Sequence, residues 1–303
     1  MIVTITDSAF VDSEQDLSQV LSFLSETYGS FHSLRNWSLT RMGDWRYGGN
    51  HRFVRTDPDF FSRNMHVWRE GQKIIGLAVS ERGEDMTLQV GPDERPLEES
   101  ILGWVEDQWG REKDRIAVKV FANDEWRQNI LRKRGYRTAG SSAFLRRYDT
   151  LFSPRKAPLE NGFSLSDLER SKDARGLIDV VSKAFAKPAI DREWYESKHR
   201  APGFQPSMCV QVLSPEGRCV SCAEARIDWK RNYAEIGQIA THPEYQRRGL
   251  SRACLAELFR RLADMRVRDA SIGSDVGHAP SNRLYDTMLP IEMVEEISWV
   301  LER

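Results

Sequence analysis

Ala234-Glu235-Ile236-Gly237-Gln238-Ile239-Ala240-Thr241-His242-Pro243-Glu244-Tyr245-Gln246-Arg247-Arg248-Gly249-Leu250-Ser251-Arg252-Ala253-Cys254-Leu255 is the most informative stretch of the chain. Tyr233–Thr241 reads as a strand, and His242-Pro243 marks the turn that ends it. Beyond the turn, Leu255, Leu258 with Phe259, Leu262 and Met265 recur at helical spacing. The polar Glu257, Arg260, Arg261 and Asp264 fall on the other side, so the spacing predicts an amphipathic helix over Gly249–Met265. A helix start carries unpaired N–H groups and a partial positive charge, which suits an anion. Gly249 removes the side chain where a phosphate must approach the backbone closely. Ser251 is small enough to keep the next turn open, and Arg247 and Arg248 add positive charge. Such a junction is built for a diphosphate.

Working outward, the second half reads as an ordered series. Phe163–Leu168 is a strand and Asp173–Ala186 a helix. Met208–Leu213 and Cys219–Trp229 form a hairpin around Ser214-Pro215-Glu216-Gly217. After the Tyr233–Met265 unit come a strand at Asp269–Ser274, a helix at Pro280–Leu289 and a closing strand at Glu295–Glu302. The first half runs in the same order: Val3–Thr6, Asp16–Tyr28, His66–Arg69, Lys73–Ser80, Met86–Val90, Leu97–Trp109, Ile116–Phe121, Glu125–Arg134 and Ser142–Tyr148. Thr150–Gly162, with two prolines and little periodicity, reads as a linker. The expected architecture is therefore α/β with a mixed (α+β) sheet, in two domains at 1–150 and 162–303 joined by 151–161.

Composition narrows the function. The chain has 303 residues, 44 Lys plus Arg against 45 Asp plus Glu, interspersed along its length. That lacks the one-sided basic footprint of a nucleic-acid-binding protein. No run approaches about 18 apolar residues, and no signal peptide opens the chain, so a cytoplasmic protein without a membrane partner is expected. The four cysteines, Cys209, Cys219, Cys222 and Cys254, do not suggest a disulfide framework in a chain this long. Cys219 and Cys222 lie i, i+3 on a strand, where they are expected to point to opposite faces. No second pair completes a zinc site, and no bound metal is expected.

The order of strand, His-Pro, aromatic, Gln246-Arg247-Arg248-Gly249-Leu250-Ser251 and amphipathic helix resembles the GCN5-related N-acetyltransferase (GNAT) superfamily. Its signature is Gln/Arg-x-x-Gly-x-Gly/Ala, with Ser251 here in place of the last small residue. The resemblance implies two tandem GNAT-like acyl-CoA N-acyltransferase domains and acetyl-CoA as cosubstrate. It further implies that loop N–H groups hold the coenzyme A pyrophosphate and that the strand edge Ile239-Ala240-Thr241 hydrogen-bonds the pantetheine arm. By the same resemblance, Asn282 of Asn282-Arg283-Leu284-Tyr285 contacts the coenzyme, and Tyr285 is the general acid for the departing thiolate. The usual Tyr-x-x-x-Gly-Phe is here Tyr285-Asp286-Thr287-Met288-Leu289-Pro290, so the helix exit differs.

Glu235 occupies the place of the strand glutamate that some acetyltransferases use as a base. On an undistorted strand Glu235 and Gln238 face opposite ways, and Gly237 could mark a bulge that breaks this alternation. Which of the two faces the substrate stays open at this stage.

The corresponding junction of the first half, Val90-Gly91-Pro92-Asp93-Glu94-Arg95-Pro96-Leu97-Glu98-Glu99, is unsuited to a phosphate. Pro96 has no N–H to give, and four carboxylates crowd the helix start. Leu131 stands where the family's tyrosine would be. The first half is expected to be degenerate and non-catalytic. Its Trp37, Trp45 and Tyr47, among Arg35, Arg41 and Arg46, are read as aromatics packed into a core, with an acceptor pocket as the other reading. The expected activity is acetyl transfer to a primary amine, with a small-molecule acceptor preferred, by direct attack in a ternary complex. A non-catalytic acyl-CoA-binding regulatory module is the alternative. The acceptor, a longer acyl donor and the oligomeric state stay undetermined.

Overall fold

The computed structural model describes residues 4–31, 37–49, 56–83, 85–187 and 190–303. The chain divides into two compact units that are not contiguous stretches: one of Met1–Trp45, Arg52–Phe144 and Val294–Arg303, the other of Arg46–His51 and Leu145–Met293.

In the first unit, β1 (Ile5–Ala9) leads to α1 (Glu14–Phe31), then α2 (Leu39–Gly43) and α3 (Phe60–Asn64). The strands β2 (Met65–Glu70), β3 (Lys73–Val79) and β4 (Asp85–Val90) follow. Next come α4 (Leu97–Gln108), β5 (Arg115–Phe121) and α5 (Glu125–Lys133). β1 to β4 form an antiparallel run, and β4 pairs parallel with β5. The other neighbour of β5 is the last strand of the chain, β12 (Glu292–Glu302), antiparallel with Trp299 opposite Val118. Trp299 is 2 % exposed and packs with Val118, Val120 and Leu131. Trp37 and Trp45 are buried on the opposite side of this sheet with Phe60 and Phe61, which is the core reading of these aromatics. The indole N–H of Trp37 donates to the Glu81 carboxylate at 2.9 Å, as does Nε of Arg41 at 2.6 Å. Arg35 lies outside the described residues.

β6 (Arg137–Asp149) enters the second unit, where β7 (Ser164–Asp167), α6 (Leu168–Ser171), α7 (Ala174–Ala184) and α8 (Arg192–Lys198) follow. Then come β8 (Phe204–Leu213), β9 (Cys219–Asp228), β10 (Tyr233–Thr241), α9 (Leu250–Asp264), β11 (Asp269–Asp275) and α10 (Ala279–Asp286). The strand order is β6–β11–β10–β9–β8–β7, antiparallel from β7 to β10 and parallel between β10 and β11. Alternation along β9 separates two cores. Ala223, Ala225 and Ile227 meet Leu255, Leu258, Phe259 and Leu262 of α9. Cys222 meets Leu177, Val180 and Val181 of α7 and Trp194 of α8 on the other face.

Three local readings change. Cys219 and Cys222 enter the same cluster rather than opposite faces, because the β8–β9 register shifts between Val212 and Leu213, the latter pairing with Cys219. All four cysteines are free and buried. α8 has no counterpart among the expected elements: seven residues are too few to show helical periodicity, and its local signal is the Asp191 carboxylate capping Trp194 N–H at 3.0 Å. Within the expected linker, Ser153 is buried, and Ala157 and Leu159 pack against the α9-side core.

Candidate active site

β10 keeps the bounds read from its sequence, but it is not a regular strand. Its pairing with β9 shifts between Gly237 and Ala240, and Gln238 adopts φ +51°. The consequence shows in what each side chain touches. Ile236 and Ile239 both pack against the α9-side core although they are three positions apart, which an unbulged strand forbids. Ala240 has crossed to the α7–α8 side. Gln238 also reaches that side, its Oε1 accepting from Lys198 of α8 at 2.9 Å. Glu235 lies opposite Arg226 of β9 in the antiparallel ladder, on the face away from Ala234 and Ile236. The bulge therefore puts Glu235 and Gln238 on one face, and both alternatives from the sequence look the same way.

The parallel ladder of β10 with β11 runs from Tyr233↔Asp269 to Ile236↔Ile272 and ends there. From that point β10 continues to the Gly249 turn and β11 to α10, so both junctions lie at the carboxyl ends of their strands, where open α/β sheets bind ligands. His242 caps the short 3-10 turn Pro243–Tyr245, accepting from Glu244 N–H at 3.3 Å. Arg247 (φ +62°) and Gly249 (φ +74°) then turn the chain through left-handed conformations into α9. Gly249 is the N-cap and offers no side-chain acceptor. The first helical bond is Ala253 N–H to Gly249 O at 3.0 Å, and among the described residues no group accepts from the amides of Arg247 to Arg252. Among the described residues nothing beyond the chain neighbours lies within 4 Å of where a Cβ on Gly249 would sit. This is an open set of donors at a helix N-terminus.

The side chains around the turn divide the work. Leu250 is 1 % exposed and anchors the helix in the core, leaving only its backbone to the turn. Ser251 Oγ bonds Thr241 Oγ1 at 2.6 Å, Thr241 Oγ1 bonds Ser221 Oγ at 2.8 Å, and Ser221 donates to Ala240 O at 2.9 Å. This hydroxyl chain ties the helix start to the end of β10 and gives Ser251 a task that glycine or alanine could not perform. Gln246 and Arg247 are exposed. Arg248 is held: its Nε lies 3.0 Å from the Glu160 carboxylate and its guanidinium 4.6 Å over the Phe163 ring. The hydrogen bond from Arg248 holds the Glu160 carboxyl below its ordinary range.

Asn282 closes the end of β11. Its Oδ1 accepts from Ser274 Oγ at 2.6 Å and its Nδ2 donates to the carbonyls of Asp275 and Val276 at 3.1 and 3.2 Å. Tyr285, one turn on, is 7 % exposed and packs with Ala270, Ile272 and Met288. Burial raises its pKa, against the opposing influence of a Ser281 hydrogen bond and Arg146, so the phenol keeps its proton at neutral pH. Tyr148 of β6 donates to the Tyr285 carbonyl at 3.1 Å and fixes the end of α10. Cys254 is buried inside α9, its thiol pushed up to about 12 by desolvation, which does not suit a nucleophile. Among the described residues no group of three or more His, Cys, Asp or Glu is placed to hold a metal ion.

The matching junction of the first unit is filled from within. The Glu94 carboxylate occupies the space that a Cβ on Gly91 would need. Glu98, fully buried in the first turn of α4, accepts from Nε and Nη2 of Arg127 at 3.0 Å each and pairs with Arg95. Leu131 is 0 % exposed in that core.

The site is thus a bulged strand that outruns its parallel neighbour and leads into an open, glycine-capped helix start. Residues 176–288, within the second unit, match the acetyltransferase (GNAT) family model. No curated protein matches the sequence. Among solved structures, a tandem GNAT protein from the clavulanic acid biosynthesis pathway superposes with TM-score 0.64 at 12 % identity, covering 99 % of this chain and 98 % of that one. A GCN5-related N-acetyltransferase from Sphaerobacter thermophilus gives 0.63 at 15 % identity over 98 % and 95 %. A GNAT-family acetyltransferase from Colwellia psychrerythraea gives 0.59 at 10 % identity over 99 % and 100 %. The tandem GNAT fold thus extends across the chain.

Proposed function

We propose that the second unit is an N-acetyltransferase that moves the acetyl group of acetyl-CoA to the primary amine of a small-molecule acceptor. The observation that carries this reading is the run of uncommitted amides at the start of α9, which suits the coenzyme's pyrophosphate. Ile239 to Thr241, beyond the end of the β10–β11 ladder, offer backbone to the pantetheine arm. In the ternary complex the amine attacks the thioester carbonyl, the C–N bond forms and the C–S bond breaks. Glu235 takes the proton lost by the amine, and Tyr285 gives its proton to the departing sulfur. Asn282 holds the β11 end in place for that step through its three hydrogen bonds. The first unit is non-catalytic, its helix start being closed by Glu98 and Arg127. No helix among the described residues is long and apolar enough to cross a membrane, which agrees with a cytoplasmic enzyme acting on a dissolved acceptor.

The test is release of free coenzyme A thiol from acetyl-CoA with a panel of small primary amines and, for comparison, lysine peptides. Tyr285→Phe is expected to lower kcat by about 10²–10⁴-fold while acetyl-CoA binding persists. Binding without turnover for every amine would identify an acyl-CoA-binding module instead, and absence of binding would remove the assignment.

A further inference from the structure

On the face that carries Glu235, the second unit buries a set of charges that core packing alone does not call for. Lys198, at the end of α8, is 1 % exposed, Glu224 of β9 is 2 % and Arg226 is 3 %. Lys198 Nζ is ion-paired with Glu224 and stands 4.8 Å from the Trp194 ring and 5.8 Å from that of Phe204. Glu224 in turn accepts from Arg226 Nε at 3.2 Å. Apolar residues of the same volume often serve stability as well as a buried ion pair or better. Besides pairing with Glu224, Lys198 grips Gln238, to which it donates at 2.9 Å and which an apolar side chain could not hold.

Gln238 is the residue that needs gripping. It sits in the bulge at φ +51°, a left-handed conformation that costs any residue with a Cβ and persists where its surroundings enforce it. A second and weaker hold, Cys222 Sγ to Gln238 O at 3.5 Å, comes from β9. We infer that Lys198 is a positioning residue: by holding Gln238 it maintains the β10 bulge, and with it the orientation of the Ile239–Thr241 edge and the shared face of Glu235 and Gln238. Its catalytic consequence rests on the acyl-CoA reading above; the bulge itself does not.

Three substitutions separate the tether from general stability. Lys198→Met keeps the volume and leaves Glu224 paired with Arg226. Gln238→Ala keeps a Cβ at the left-handed position but removes the tethered amide. Gln238→Gly removes the need for a tether, because glycine adopts this conformation without penalty. Lys198→Met and Gln238→Ala are each expected to speed amide hydrogen exchange at Ile239–Thr241 and to raise KM for acetyl-CoA by about tenfold, with a much smaller change in kcat. Added to the Gln238→Gly background, Lys198→Met is expected to change neither quantity further. Equal losses from Lys198→Met in the two backgrounds would overturn the inference, since the lysine would then act through the core at large. Unchanged exchange in both Lys198→Met and Gln238→Ala would overturn it as well. If the wild-type chain bound no acetyl-CoA, the proposed function would fall while the exchange measurement still decided the role of Lys198.

Discussion

At the scale of single residues, the site depends on backbone more than on side chains. Gly249 adopts φ +74°, and among the described residues nothing beyond its chain neighbours lies within 4 Å of a methyl group placed there, yet the left-handed conformation would cost about 1–2 kcal/mol. Gly249→Ala is therefore expected to weaken acetyl-CoA binding by about tenfold or more with little change in circular dichroism, which titration calorimetry would read. Ser251→Ala removes one bond of the Ser251–Thr241–Ser221 chain and should lower stability by about 1 kcal/mol, measured by urea unfolding. Tyr285 sets a pH expectation. A raised pKa keeps the phenol protonated, and hence able to donate, beyond its ordinary value, so the alkaline fall in kcat should lie above pH ~10. An alkaline limb near pH 8 would assign the acid to another group.

Among elements, the contrast between the starts of α9 and α4 explains why only one is suited to an anion. Both follow a strand, but α9 begins at a glycine with open amides, whereas α4 begins after Pro96 and buries Glu98 against Arg127 and Arg95. Arg127→Met leaves Glu98 buried with Arg95 alone and should cost about 3–5 kcal/mol, visible as a drop in the unfolding midpoint of the first unit followed through its tryptophans. Phosphate binding at that helix start in the wild-type protein would contradict the assignment of the first unit as non-catalytic. β10 shows what periodicity does and does not convey: its bounds followed from composition, while the side each residue faces depends on a bulge stabilised by α8 and β9.

For the whole molecule, buried ionisable groups predict alkaline lability. Desolvation raises the thiol pKa values of Cys209, Cys219, Cys222 and Cys254 in the folded chain. A group whose folded pKa exceeds its unfolded value contributes stability in full below the unfolded pKa, near 8.5 for a thiol, and loses it as pH rises toward the folded value. Each thiol therefore adds to a loss of stability that sets in above about pH 8.5. The urea midpoint of the second unit should therefore fall between pH 8 and pH 10, and less steeply when the cysteines are replaced by alanine. A second expectation concerns β12. Trp299 of the final strand belongs to the first unit's core, so Trp299→Ala should destabilise that unit by about 3–5 kcal/mol, followed by thermal unfolding.

By itself the sequence determined what local physics can determine. The His242-Pro243 turn, the Gly249 helix start, the apolar stripe of α9 and the closed junction at Pro96 each follow from a residue's own φ range, donors or spacing. Contacts between distant segments were left to the tertiary structure. β12 reads as a strand from its pattern alone, but nothing in that pattern says that β5 is its partner, because a strand's alternation specifies a face and not a neighbour. Lys198 carries no signal in the sequence, since α8 is too short to show periodicity, and only the packing of α8 brings its charge to Glu224 and Gln238. The Glu235–Gln238 ambiguity has the same cause: the face of a strand residue is set by the hydrogen-bond register, and register is decided by the strands and helices on either side.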